Sequence, residues 1–287
     1  MAAEGVFYPP PKTERWYFFM KFSYGVCVGA AEHEKIKAAA KVGYKFVEPP
    51  FANFEKLGDG EIADFGALVR DLGMTVASAN CFLPGRIKIV GPERDEAKIK
   101  EYLATVFEKT APLGIKNVIF GSGGARKVPD GYPREKAKEE IASFLSELVL
   151  PFAKKYDTVV GIEELNSGET NIINTCAEAM EYVREVNDAH VGLLVDLFHV
   201  GRMKEPVKSL EAYGKYISHV HIASPTSGRT VPLAGDGDEE LYREFFGVLR
   251  DAGYKAKNVS LEGGFGDDFA ETVAKSIAYL GEVEKTV

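Results

Sequence analysis

The stretch VGIEELNSGETNIINT, residues 160 to 175, leaves an apolar run and arrives at two consecutive carboxylates, Glu163 and Glu164, with nothing beside them to neutralise the charge. What those carboxylates can do depends on the sheet to which the run belongs. Seven further short apolar, β-branched or aromatic runs share its character: FSYGVCV (22–28), KFVE (45–48), TVASA (75–79), NVIF (117–120), VGLLVD (191–196), ISHVHI (217–222) and NVSLE (258–262). With VVGIE (159–163) they make eight. Between them lie stretches of helical spacing: EKIKAAAKVG, IADFGALVRDLG, AKIKEYLATVFEKTAPLG, REKAKEEIASFLSELVLPFAKKY, TCAEAMEYVREV and ELYREFFGVLRDAG. Four of these close on glycine at positions 43, 73, 114 and 253, as helices do before a following strand. Strictly alternating strand and helix implies a parallel sheet. Eight units in a chain slightly longer than ~250 residues fit a closed (β/α)8 TIM barrel, of class α/β and in a single domain, better than an open doubly wound sheet.

Bulk properties agree with that frame. The chain has 287 residues, 45% hydrophobic and 27% charged, with a net charge of −8, which disfavours a nucleic-acid or anionic-membrane surface. The N-terminus MAAEGVFYPPPKTERW lacks the basic-then-apolar order of a leader, and no run approaches a membrane span, so a cytoplasmic location is expected. Cys27, Cys81 and Cys176 form no paired spacing; they read as small hydrophobes rather than a disulfide framework or zinc knuckle. Residues 1–21 stand before the first strand as an extension carrying Trp16, Tyr17, Phe18 and Phe19, with the barrel over 22–287. That aromatic stretch suggests burial against the barrel or a second copy, hence a homo-oligomer.

In a TIM barrel the site lies at the C-terminal strand ends. Four late strands deliver polar groups there: Glu163, Asp196, His221 and Glu262. Strand alternation lets only one of Glu163 and Glu164 point into the mouth; with Glu163 inward, Glu164 faces the helix layer or the following loop. Three converging carboxylates need a positive partner, and a divalent ion is the economical one. Oxygen donors with one imidazole suit Mn²⁺, with Mg²⁺ and Co²⁺ as alternatives. His219 lies deeper on the same face and reads as a hydrogen-bonded core histidine, whereas His33 and His190 read as surface residues. Gly121, Gly123 and Gly124 with Arg126 could cradle a phosphate, or could simply make a turn. The long segments after strands 3 and 4 read as substrate walls.

GIEELNSGETNIINT, VDLFHV, HVHIASPTSGRTVP and VSLEGGF resemble, in order, the strand-end motifs of the sugar isomerase/epimerase superfamily with a xylose isomerase-like barrel, and most of all its ketose 3-epimerase branch. The resemblance implies one divalent ion held by Glu163, Asp196, His221 and Glu262. It also implies substrate contacts from Glu169, His199 and Arg229. Glu164 where many relatives have proline, Ser167 where epimerases often have arginine, and the longer spacing to Arg229 depart from the pattern. With a ketose bound, Glu163 and Glu262 become the acid/base pair: one removes the proton beside the carbonyl to give an enediolate, and the other returns a proton to the opposite face. A lyase using the same first step, such as a dehydratase or a 3-keto-glycoside-cleaving subunit, and a non-catalytic sugar-binding subunit are the alternatives. The expected partner is a small sugar, with no nucleic acid and no membrane.

Overall fold

The computed structural model describes residues 20–287, so the aromatic stretch at 16–19 lies outside the described residues. Eight parallel strands form the barrel: β1 (Ser23–Cys27), β2 (Phe46–Glu48), β3 (Ser78–Ala79), β4 (Asn117–Phe120), β5 (Val159–Glu163), β6 (Val191–Asp196), β7 (Ile217–Ile222) and β8 (Asn258–Leu261). Their order, β2-β1-β8-β7-β6-β5-β4-β3, places β5 to β8 side by side, as the motif reading expects. Outside them run α1 (His33–Lys41), α2 (Asp59–Asp71), α3 (Glu96–Thr110), the single turn α4 (Gly123–Arg126), α5 (Arg134–Ser143), α6 (Leu150–Lys155), α7 (Cys176–Val186), α8 (Leu197–Met203), α9 (Glu239–Asp251) and α10 (Phe269–Glu284). NVIF and VGLLVD are buried along their whole length, as parallel strands sandwiched between core and helices must be. Gly43, Gly73, Gly114 and Gly253 all adopt positive φ after their helices.

Two elements differ from the sequence expectation. The helix expected to run unbroken over 134–156 passes through a π-helical segment, Phe144–Val149, between α5 and α6. Pro151 follows directly; its missing N–H cannot complete the α-helical ladder, and the wider turn absorbs the defect. The third strand shrinks to two residues that pair with β4, and toward β2 its ladder is interrupted at Pro49, which has no N–H to donate. The β2–β3 seam is instead closed by isolated bridges, Phe46 to Thr75 and Pro50 to Asn80.

A register shift between β6 and β7 skips Ser218, pairing Leu194 with His219 and Asp196 with His221. Both histidines therefore point inward, and Asp196 arrives level with His221 at the mouth.

Candidate metal centre and active site

One ligand atom each from Glu163, Asp196, His221 and Glu262 lies within 4.8 Å of the others. That separation is close to twice a metal–oxygen bond of about 2.0–2.6 Å, so one ion can touch all four. Asp196 and His221 are fully buried and Glu163 nearly so. His221 Nδ1 lies 3.3 Å from both Glu163 Oε1 and Glu262 Oε2, so carboxylates from facing walls meet at one imidazole edge. Burial, then the charges of Glu262 and Glu163, push the Asp196 carboxyl up to about 8. Burial likewise raises Glu163. At Glu262 burial is outweighed by His221 and Arg229, which hold it down at about 2. An Asp196 that resists ionisation marks a site short of positive charge, and three oxygens with one imidazole fit a hard divalent ion.

Each of these four side chains is held by a second contact. Asp196 uses Oδ1 to accept the N–H of Phe198, capping α8, and leaves Oδ2 to the site. Glu262 accepts from Asn80 Nδ2 at 2.9 Å and from Arg229 Nη2 at 2.5 Å. Gly121 leaves room for Glu163: a Cβ there would stand 2.0 Å from Glu163 Oε2. His221 Nε2 lies 2.7 Å from Glu48 Oε1.

Glu169, His199 and Arg229 gather beside this cluster. Arg229, in the left-handed region at φ 63, stacks 4.8 Å over the Phe198 ring and reaches Asp196 Oδ2 at 3.5 Å and Glu169 Oε1 at 3.3 Å. Asn166 donates its backbone N–H to His199 Nδ1 at 3.2 Å and its amide to Glu169 Oε1 at 2.8 Å. A backbone N–H only donates, so Nδ1 accepts and the neutral ring carries its proton on Nε2, 3.4 Å from Asp196 Oδ2. Burial, and then the Arg229 charge, keep that ring neutral by lowering it to about 3.

Glu164 points outward as expected, and of the two settings foreseen it takes the helix layer, fully buried beside Cys176 at the start of α7. Burial, then the Asp196 charge, raise its carboxyl well above the usual range. His219 is the deep core histidine foreseen, 2.8 Å from both Glu48 Oε2 and Ser260 Oγ. His33, the first residue of α1, is exposed and His190, just before β6, is half-buried; neither joins the four-residue cluster. Of the cysteines only Cys176 is a fully buried hydrophobe; Cys27 is half-buried with its sulfur within 4.8 Å of Glu48 and His221, and Cys81 is exposed. Arg126 is no phosphate ligand in waiting. It is fully buried against the Phe120 ring and donates to the carbonyls of Phe120 (2.9 Å), Glu163 (2.7 Å) and Ile173 (3.3 Å). The segments after β3 and β4 are stitched together by Ile89 N–H to Ala125 O and Lys88 Nζ to Gly124 O.

Sequence reasoning missed Glu48, Asn80 and Asn166, and singled out Arg126 for a phosphate rather than for the backbone carbonyls it holds. Glu48 carried a legible signal, because KFVE ends on a carboxylate as VVGIE and NVSLE do.

No helix of the described residues is long and apolar enough to cross a membrane. The family model described as xylose isomerase-like TIM barrel matches residues 36–282. A D-psicose 3-epimerase of Enterocloster bolteae is 32% identical over 108 residues, which span 37% of this chain and only 34% of that one. The 3-dehydro-D-guloside 4-epimerase of Escherichia coli is 27% identical over 243 residues, 81% of this chain and 90% of that protein. Among solved structures, a D-allulose 3-epimerase of Methylomonas sp. in complex with D-allulose superposes with a TM-score of 0.75 at 20% identity, covering 91% of this chain and 96% of that one.

Proposed function

Because the chain belongs to the xylose isomerase-like TIM barrel family, we propose that it epimerises a keto-sugar at the carbon beside its carbonyl. The observation that carries this reading is the meeting of Glu163 and Glu262, from β5 and β8, at one edge of His221, each 3.3 Å from Nδ1. Two carboxylates on facing walls address both faces of one sugar carbon. The names of the relatives agree on the position: a 3-epimerase of a 2-ketose and a 4-epimerase of a 3-keto-sugar both invert the carbon next to the carbonyl.

In this reading Glu163, Asp196, His221 and Glu262 would hold one Mn²⁺, Mg²⁺ or Co²⁺ ion, which when bound would supply positive charge beside the sugar carbonyl. One of Glu163 and Glu262 takes the C–H proton and the other returns a proton from the opposite side. His199 donates its Nε2–H to a substrate oxygen, Arg229 polarises the same end, and Glu169 accepts from a neighbouring hydroxyl. The engagement of Arg126 with backbone carbonyls favours a free sugar over a sugar phosphate. A cytoplasmic homo-oligomer belongs to the same reading, and residues 1–21 to an extension of the 22–287 barrel.

The test is NMR of products formed in deuterated water with Mn²⁺ and a panel of ketoses, ketose phosphates and 3-keto-glycosides. Deuterium at the inverted carbon is expected. Loss of water or of an aglycone would instead select the lyase, and no exchange with any keto-sugar would sink the proposal.

A further inference from the structure

Glu48 sits at the end of β2, outside the four strands that supply the candidate ligands, and is completely buried. Four polar groups from three other strands converge on it. Ser78 Oγ donates to Oε2 at 2.6 Å and Ser260 Oγ at 2.5 Å; His219 Nε2 lies 2.8 Å from the same oxygen, and His221 Nε2 lies 2.7 Å from Oε1. The surrounding packing is shaped for this arrangement. A Cβ on Gly25 would stand 2.1 Å from the Phe46 ring, so glycine there admits that ring, which meets the His219 ring edge-on at 5.9 Å.

We propose that Glu48 is a positioning residue: its buried carboxylate fixes one proton of His221 on Nε2 and thereby leaves Nδ1, which faces Glu163 and Glu262, as the nitrogen that gives up its proton to a metal ion. This rests on the metal-dependent reading above. A carboxylate only accepts, so each ring nitrogen facing it must be an N–H. Two serine hydroxyls and two imidazole nitrogens surround its oxygens with donors, the environment an ionised carboxylate requires. With Nε2 committed as a donor, Nδ1 is the nitrogen left to bind an ion, and the negative charge behind the ring raises its basicity. His219 and the two serines hold the other oxygen, so the carboxylate cannot rotate away from His221. The polar cluster beneath the mouth thus aims one ligand rather than merely filling space.

The experiment is calorimetric titration of the metal-free full chain with Mn²⁺, comparing wild type, Glu48→Gln and Glu48→Asp, with thermal melting of each metal-free protein alongside. Loss of an outer partner of this kind typically costs 10–100-fold in metal affinity. Glu48→Gln should therefore bind Mn²⁺ about 10–100-fold more weakly, and Glu48→Asp, which keeps the charge but withdraws it from the ring, should fall between the two. In the Co²⁺-loaded wild type, proton NMR should show one strongly shifted N–H from His221 that exchanges slowly with solvent. In Glu48→Gln that signal should move or vanish, a change that a packing defect elsewhere would not produce. Wild-type affinity and an unchanged N–H signal in Glu48→Gln would overturn the inference while leaving the metal site standing. Should Glu48→Gln not fold, Glu48→Asp decides: a several-fold loss supports the role and an unchanged affinity overturns it. A wild type that takes up neither ion defeats the metal reading itself, and this inference with it.

Discussion

Glu164 Oε1 accepts the backbone N–H of Asp196 at 2.8 Å, so the outward face of β5 fixes the residue that β6 delivers to the mouth. The two consecutive carboxylates have different physical jobs. Glu163 is aimed at the imidazole edge, and Glu164 is a buried acid, its second oxygen unpartnered, that serves as a backbone acceptor.

Glu164→Gln keeps the accepting oxygen and removes a charge that burial already disfavours, so turnover and melting temperature should change little. Glu164→Leu leaves the Asp196 N–H buried and unpaired, at a cost of about 1–3 kcal/mol. Thermal denaturation should show this as a drop of about 2–4 °C per kcal/mol. A Leu variant as stable as wild type would show that water replaces the carboxyl.

Glu163→Gln and Glu262→Gln each retain an oxygen at the cluster but remove a basic site. Steady-state kinetics on the accepted keto-sugar should show kcat reduced ~10²-fold or more, with a smaller change in KM. If either variant turns over at the wild-type rate, that residue does not carry the proton.

Gly121→Ala places a methyl group where the Glu163 carboxylate lies. Because the clash is with a site side chain at the end of β4, turnover and Mn²⁺ affinity should fall together while the melting temperature moves little. The reverse pattern, an unstable but fully active variant, would place the strain in the barrel instead.

Mn²⁺ affinity should depend on pH in a definite direction. Burial alone would lower His221, but the charges of Glu48 and Glu262 raise it well above its ordinary value, so its Nδ1 proton must leave before a metal binds. Affinity should weaken by about tenfold per pH unit for each proton displaced as the pH falls. Calorimetry at pH 6, 7 and 8 checks this; a flat profile would mean that neither His221 Nδ1 nor Asp196 carries a proton in the metal-free protein.

The barrel was legible because parallel strands buried on both faces leave continuous apolar runs, and because glycine closes the helices before them. Glu163, Asp196, His221 and Glu262 were legible for the same reason, since a charged residue at the end of such a run is out of character. Asn166 and Arg126 were not, because an asparagine in a polar loop and an arginine in a glycine-rich turn look ordinary until the chain folds around them. Arg126 shows why: its partners are the carbonyls of Phe120, Glu163 and Ile173, and a carbonyl belongs to every residue alike. The interruption between α5 and α6 was signalled by Pro151, whose effect was to widen the helix rather than end it.

Seven of the eight strand-to-strand seams among the described residues carry ladders, that between β6 and β7 with a shift of register, and the one between β2 and β3 carries isolated bridges, Phe46 to Thr75 and Pro50 to Asn80. Glu48 stands on one lip of that seam and Asn80 on the other, and they support His221 and Glu262 respectively. Backbone hydrogen bonds close the same seam on both sides of these residues, from Thr75 to Lys45 and Val47 to Thr75 below, and from Asn80 to Pro49 and Phe51 to Asn80 above. Two of the four candidate site groups are thus braced from behind across one seam, so a change that parts β2 from β3 disturbs both braces together, while Glu163 and Asp196 stand on strands that pair elsewhere in the barrel.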